Sequence, residues 1–287
     1  MTNKSTRTAI CAFSLAVLSL ILAAPNTEAA ELHPDTLKAW QSHVELTERR
    51  IGKELSSANG FLALDHQNSS ESARERQAVL SGKIPIKQVH AGNKNIDVPD
   101  GMVHHWRGCV FIPGVTLDFV FSRIANPTEE DTKQEDVLDS RVLERGPEQL
   151  KLYLKLQRSK IVTVVYNTEH LVRYKRHDTG QAYSSSIATK IAELERPQGQ
   201  QEREKPEGRD SGFLWRMNSY WRYEQVSGGV IVECESITLS RSIPSFLLYI
   251  VRPIINSVAK ESMHRTLESM RIRMTRSHRL ASGAQES

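Results

Sequence analysis

The chain has 287 residues, of which 39% are hydrophobic and 25% are charged, and its formal net charge is +4. This length allows one domain of about 200–250 residues with additions at its ends. Basic and acidic residues are interleaved along the chain, which argues against a dedicated nucleic-acid face, and we expect no nucleic-acid partner.

Residues 1–29 have the pattern of a secretory signal peptide. Lys4 and Arg7 precede an apolar run over 9–24, and small residues follow up to a predicted cleavage site near Ala29. The alternative is an uncleaved membrane anchor, for which this apolar run is short. We therefore expect a secreted or periplasmic protein.

Two cysteines, Cys109 and Cys234, lie beyond the predicted cleavage site. An oxidising compartment would allow them to form a disulfide. Both fall in predicted strands, however, and we expect two buried free thiols.

Residues 30–100 are predicted to form an extension of the main domain. Apolar residues at helical spacing favour a helix over 33–57, and a capping pattern starts a second helix over 69–80. Short strands are predicted at 60–64 and at 84–90.

The main domain is predicted to span 101–276, followed by a polar tail over 277–287. It begins with a strand over 102–112 and a helix over 115–126. Alternating apolar runs separated by turn signals then predict an antiparallel meander. Its strands are expected at 136–144, 150–156, 161–166, 170–176, 183–194, 213–224 and 230–241. A long helix from Pro253 to about Met274 ends the domain.

The hairpin over 213–241 has an aromatic face that we expect to point inward. Glu233 and Glu235 fall on the other face, opposite Arg216 and Arg222, and we expect that face to be exposed to water. With two further strand residues and two helix residues, the inward positions give the predicted ligand-binding set: Trp215, Met217, Ser219, Trp221, Tyr223, His170, Tyr174, Cys234, Ser262 and Thr266. Ordinary core packing is the alternative for the aromatic residues, and a structural role is the alternative for His170.

The order of elements and three stretches of sequence resemble the START/polyketide-cyclase-like (SRPBCC) superfamily, over about residues 100–276. The stretches are 112–118, 163–170, and 213–222 together with Ile243-Pro244. The resemblance is to bacterial START-like proteins. It implies an α+β helix-grip fold, in which a curved antiparallel sheet wraps around a long C-terminal helix, here with extra N-terminal helices. It also implies a deep cavity between sheet and helix that holds a lipid or other hydrophobic small molecule.

Three functions are compatible with this pattern. The first is an exported module that binds a hydrophobic molecule without catalysis, cofactor or metal; no catalytic motif carries over from the superfamily, and the histidines lack metal-ligand spacing. The second is a cyclase- or hydrolase-type enzyme, which requires Glu233, Glu235 or His170 beside a pocket. The third is a cell-envelope interaction domain with a filled interior.

An apolar run after the last strand bears on the first and third functions. We predict that it gates the cavity or makes a peripheral membrane contact. The alternative is that it forms the first turns of the C-terminal helix, packed in the core. The residues in question are Phe246, Leu247, Leu248 and Tyr249.

Overall fold

The computed structural model describes residues 32–89, 96–128, 131, 135–159, 163–195, 201–206, 209–242 and 245–283. For residues 245–256, it describes the backbone alone. The predicted signal peptide and its cleavage site therefore lie outside the described residues, as do the side chains of the predicted gate, Phe246, Leu247, Leu248 and Tyr249.

The described residues form helices and strands in an α+β order. The helices are α1 (Pro34–Leu55), a 3-10 helix (Ala63–His66), α2 (Ser69–Leu80), α3 (Leu117–Ala125) and α4 (Ser245–Gly283). The strands are β1 (Ile86–Gln88), β2 (Ile96–Val98), β3 (Gly101–Pro113), β4 (Val137–Gly146), β5 (Gln149–Ser159), β6 (Thr163–Arg176), β7 (Gln181–Glu195), β8 (Arg203–Glu204), β9 (Arg216–Val226) and β10 (Gly229–Arg241).

The strands form one antiparallel sheet in the order β1-β3-β10-β9-β7-β6-β5-β4, with β2 paired to β3 and β8 paired to β7. The hairpin of β9 and β10 turns at Gly228, whose φ of 81° suits a residue without a side chain. Successive strands from β4 to β7 pair as hairpins, which confirms the predicted meander.

Three predicted boundaries were wrong. Residues 60–62 precede the 3-10 helix and residues 63–64 lie within it, so no strand forms there. Residues 163–166 and 170–176 belong to one strand, β6, in which Asn167 pairs with both neighbouring strands and the register shifts beside His170. The last helix begins at Ser245, well before Pro253, and continues through 277–283, which we had predicted as tail.

The sheet curves around α4. On one side, α4 packs on β3 so closely that a Cβ on Gly108 would lie 2.7 Å from Leu267 Cδ1. On the other side, Arg265 of α4 pairs with Asp136, immediately before β4, at 3.1 Å. Because strands near both ends of the sheet contact the same helix, the predicted wrapping of the sheet around the C-terminal helix is confirmed. Within the described part of the chain, no helix combines the length and apolar character that crossing a membrane requires.

The N-terminal elements cover the convex side of the sheet. Trp40 and Ile51 of α1 pack on one buried cluster, and Leu62 and Val79 pack on a second, around Cys109. The face that we expected to be exposed to water is therefore buried. The relative exposures of Arg222, Glu233 and Glu235 are 2%, 1% and 3%.

Candidate functional site

Three serines form a row across the centre of the concave face of the sheet. Ser236 on β10 stands opposite Ser219 on β9, which stands opposite Ser186 on β7. The row ends at Trp106 on β3 and at Val172 on β6. Since neighbouring strands lie about 4.8 Å apart, the serines leave roughly 10 Å of the face without a bulky side chain.

The next row carries larger groups. Trp221 stands opposite Cys234 and Ser184, and Ser184 stands opposite Tyr174. The Trp221 indole donates to Ser219 Oγ at 3.3 Å. The hydroxyl of Ser184 also lies 3.1 Å from that of Tyr223. The predicted residues of β9 and β10, apart from Trp215, are thus brought together on one face.

His170 faces the same side, but both of its ring nitrogens are engaged. Nε2 lies 3.0 Å from Thr168 Oγ1, whose own hydrogen goes to the Leu154 carbonyl, so Nε2 carries the proton. Nδ1 then accepts from Ser186 Oγ at 3.3 Å. Burial lowers the pKa of His170 to about 4, and the ring is neutral at neutral pH. This geometry fits a structural role for His170, which is the alternative to ligand binding.

The centre of the concave face keeps accessible surface. Met217, Trp221, Ser236 and Thr238 are half-buried, although they lie in the middle of the sheet. On α4, Ser262 and Thr266 are also half-buried, beside the buried residue Met263. The centre of this face is therefore less completely packed than its β3 side, where Val110 is fully buried.

A buried indole N–H on the β3 side of this face lacks a partner among the described residues. Trp106 is 9% exposed and belongs to the apolar cluster that includes Met263 and Leu267 of α4. Its indole Nε1 is buried and makes no hydrogen bond to any of the described residues. A buried donor without an acceptor costs about 1–3 kcal/mol.

Two pockets on the described surface can be compared with the predicted cavity. One, of about 340 Å³, lies beside the end of β7 and is lined by residues that include Lys190, Asp210 and Trp215. The other, of about 360 Å³, lies along the first turns of α1. No residue of α4 lines either pocket, so the cavity predicted between sheet and helix remains a prediction.

Trp215 differs from the prediction. It packs with Trp40 and Tyr220 in a cluster on the convex side, and its indole donates to Asp210 Oδ1 at 3.1 Å. The reason is that β9 begins at Arg216, so the alternation of the strand does not extend back to Trp215. We therefore remove Trp215 from the lining of the concave face.

The convex side carries a buried network of charged groups that the sequence analysis missed. The carboxylate of Glu233 accepts hydrogen bonds from the backbone N–H groups of Ala63 at 2.7 Å and Leu64 at 3.0 Å. Arg107 and Arg222 each lie 3.8 Å from it. Burial raises the pKa of Glu233, and the two guanidinium groups oppose that shift.

Glu235 continues this network toward α1. His105 Nε2 lies 2.6 Å from its Oε1, Arg50 forms an ion pair with the same oxygen, and His43 Nε2 lies 3.0 Å from His105 Nδ1. Burial opposes ionisation of Glu235, but His105 and Arg50 lower its pKa to about 2. No residue of this network lines either of the two pockets.

A signal for this network was present in the sequence. His43, Thr47, Arg50 and Glu54 recur at helical spacing along α1, beside its apolar stripe. A stripe of polar and charged residues that adjoins the apolar face is what a helix packed on a polar partner surface would present.

No protein-family model matches the chain, and no curated protein matches it. Among solved structures, a protein from Thermus thermophilus matches at 13% identity over 60% of this chain and 97% of its own, with a TM-score of 0.43. A STAR-related lipid transfer protein from Xanthomonas axonopodis matches at 17% identity over 66% and 98%, with a TM-score of 0.42. The Zhui aromatase/cyclase from a Streptomyces species matches at 11% identity over 61% and 94%, also with a TM-score of 0.42. At these values the likeness says nothing about the ligand or activity of this chain.

Proposed function

We propose that the chain is a binding module that holds a lipid or other hydrophobic small molecule between the concave face of the sheet and α4, without converting it. The observation that carries this proposal is the half-buried centre of the concave face, where Met217, Trp221 and Ser236 keep accessible surface. Binding pockets for small molecules are mostly apolar with a few placed polar groups, and this face has that composition. Each buried methylene of a ligand contributes about 0.8 kcal/mol, so binding needs no catalytic group.

The placement of the ionisable groups favours binding over catalysis. His170 is neutral and has both ring nitrogens engaged. Glu233 and Glu235 lie on the convex side, separated from the concave face by the thickness of the sheet. A general acid or base has to reach the substrate within hydrogen-bond distance, and these carboxylates face the N-terminal elements instead.

Export is a separate proposal, which rests on the pattern of residues 1–29. A secreted or periplasmic location would place the module at a membrane surface, where the apolar run over 246–249 could make a peripheral contact. Intact mass of the protein in the exported fraction tests this proposal. Cleavage near Ala29 supports export, and an unprocessed chain in the cytoplasm contradicts it.

Solvent extraction of the purified chain, followed by identification of the bound compounds, tests the binding function. We expect an apolar compound to co-purify, or a lipid panel to raise the melting temperature. Ser236→Leu would fill the centre of the concave face and should abolish binding while the chain still folds. Ser227→Leu, in the exposed turn before Gly228, is the matched control and should bind normally. The proposal is wrong if the folded chain contains no apolar compound and no lipid of the panel stabilises it.

A further inference from the structure

We infer that the bound molecule presents an uncharged oxygen acceptor, such as a hydroxyl, ether or carbonyl group, to the indole N–H of Trp106. This inference rests on the proposed binding function and specifies the chemical class of the ligand. It concerns one end of the serine row, where Trp106 stands opposite Ser236.

Among the described residues, none supplies the acceptor that the buried indole N–H of Trp106 requires. About nine in ten buried polar groups of proteins have a hydrogen-bond partner, so an unpaired indole N–H calls for an explanation. The indoles of Trp215 and Trp221 have their own acceptors, Asp210 and Ser219. The indole of Trp106 differs from these two, because no described residue accepts from it. A ligand oxygen above the neighbouring serine row would complete the bond.

The described side chains around this position offer no partner to a charged group. The two central rows of the concave face contain serine, cysteine, glycine, valine and aromatic residues, and none of their members is Asp, Glu, Lys or Arg. Met263 and Leu267 of α4 belong to the same apolar cluster as Trp106. A carboxylate or phosphate placed here would lose its hydration without gaining a cation, which is strongly unfavourable. Arg107, the next residue on β3, pairs with Glu75 on the convex side.

A competition between three compounds with the same chain length tests this inference. The delipidated full chain is incubated at pH 8 with equimolar tetradecane, 1-tetradecanol and tetradecanoate, the free compounds are removed by gel filtration, and the bound compounds are extracted and quantified. One hydrogen bond to the ligand corresponds to a factor of about ten in affinity. We expect Trp106→Phe to lower the ratio of bound 1-tetradecanol to bound tetradecane about tenfold.

Trp40→Phe is the control, because it removes an indole from the convex side. It should leave the ratio unchanged. The inference would be overturned if the wild-type chain bound more tetradecanoate than 1-tetradecanol. It would also be overturned if Trp106→Phe left the ratio of bound 1-tetradecanol to bound tetradecane unchanged. Both outcomes leave the binding function intact, whereas the absence of all three compounds would count against that function itself.

A second measurement needs no variant at position 106. In wild-type protein labelled with nitrogen-15 at tryptophan, the Trp106 indole resonance should move on addition of 1-tetradecanol and stay in place with tetradecane. The other three tryptophans can be identified by their own substitutions. Equal responses to both compounds would show that the ligand oxygen does not meet this N–H.

Discussion

Glu233 and Arg222 stand opposite each other on β10 and β9, and both are buried beneath the N-terminal elements. Arg222 also donates to the Phe61 carbonyl at 3.0 Å and pairs with Glu54 of α1 at 2.5 Å. The sheet and the N-terminal elements packed on its convex side therefore supply hydrogen-bond and ion-pair partners to each other's buried polar groups. Removal of Glu233 or Arg222 would take hydrogen-bond or ion-pair partners from the N-terminal elements, so we regard these elements as an integral layer of the domain.

Substitution of Glu233 tests this interdependence. Glu233→Ala should destabilise the chain by about 3–5 kcal/mol, because it leaves two backbone N–H groups without an acceptor and removes the buried negative charge between Arg107 and Arg222. Glu233→Gln should cost less, about 1–2 kcal/mol, because one amide oxygen remains and burial already disfavours the charge. Urea unfolding measures both values. Glu144→Gln, on an exposed part of β4, is the control and should change stability by less than about 0.5 kcal/mol.

The fold could be predicted from the sequence because its signals are local. Alternation along β5 and the turn at Gly228 are set by neighbouring residues, and both predictions were right. The burial of the convex face could not be predicted in the same way. Whether Glu233 meets water or another layer depends on where residues 34–80 dock, and the alternation of β10 is the same in either case.

Acidification should destabilise the chain below about pH 6.5. Burial lowers the pKa of His43, His104 and His170 to about 4, whereas an unfolded histidine titrates near 6.5. Between these values the unfolded chain binds protons that the folded chain does not, so the free energy of unfolding falls as the pH falls. The pKa of Glu235 is lowered to about 2, so the unfolded chain also binds a proton at this residue below about pH 4.5 and the free energy of unfolding falls further.

Unfolding free energies measured from pH 8 to pH 4 check this dependence. His170→Gln should reduce the slope between pH 6.5 and 4 by up to about 1.4 kcal/mol per pH unit, whatever its effect at pH 8. An unchanged slope in this variant would mean that His170 is protonated equally in the folded and unfolded states. The slope above pH 7, where an unfolded histidine is already neutral, serves as the internal reference.

The concave site was predictable in part. Period-two spacing placed Met217, Ser219, Trp221 and Tyr223 on one face correctly, because all four lie within β9. It failed for Trp215, because the start of a strand is set by tertiary contacts that the alternation does not encode. The row of serines could not be predicted from the sequence either, since it depends on the register of three strands.

Cys109 and Cys234 should remain unreactive in the folded chain. Both are buried free thiols, and they face opposite sides of the sheet, in the convex and concave clusters. Burial raises the pKa of both thiols, which suppresses the reactive thiolate. In a Cys11→Ser background, a thiol reagent should label two cysteines in denaturant and neither under native conditions. Rapid native labelling, or an intact mass that changes on reduction, would contradict this.

The absence of a side chain at Gly108 should determine how closely α4 packs on the sheet. A Cβ at this position would meet Leu267 Cδ1 at 2.7 Å and Met263 Sδ at 3.0 Å. Gly108→Ala therefore overpacks the interface and should destabilise the chain by about 1–3 kcal/mol. Gly180→Ala is the control, because the nearest atom to its Cβ would be Asp178 Oδ1 at 3.7 Å.

A double-mutant cycle identifies the cause of that loss. Leu267→Val shortens the side chain that the new methyl would meet, so the double variant should recover at least about 0.5 kcal/mol relative to the sum of the single changes. Strict additivity would mean that Gly108→Ala acts through the strand itself. Because α4 packs on β3 at Gly108, on the same face of the sheet as the serine row, Gly108→Ala should also weaken ligand binding, and recovery of stability in the cycle should restore it. If the double variant regained stability but not ligand binding, the packing of α4 on β3 would not determine binding at the concave face.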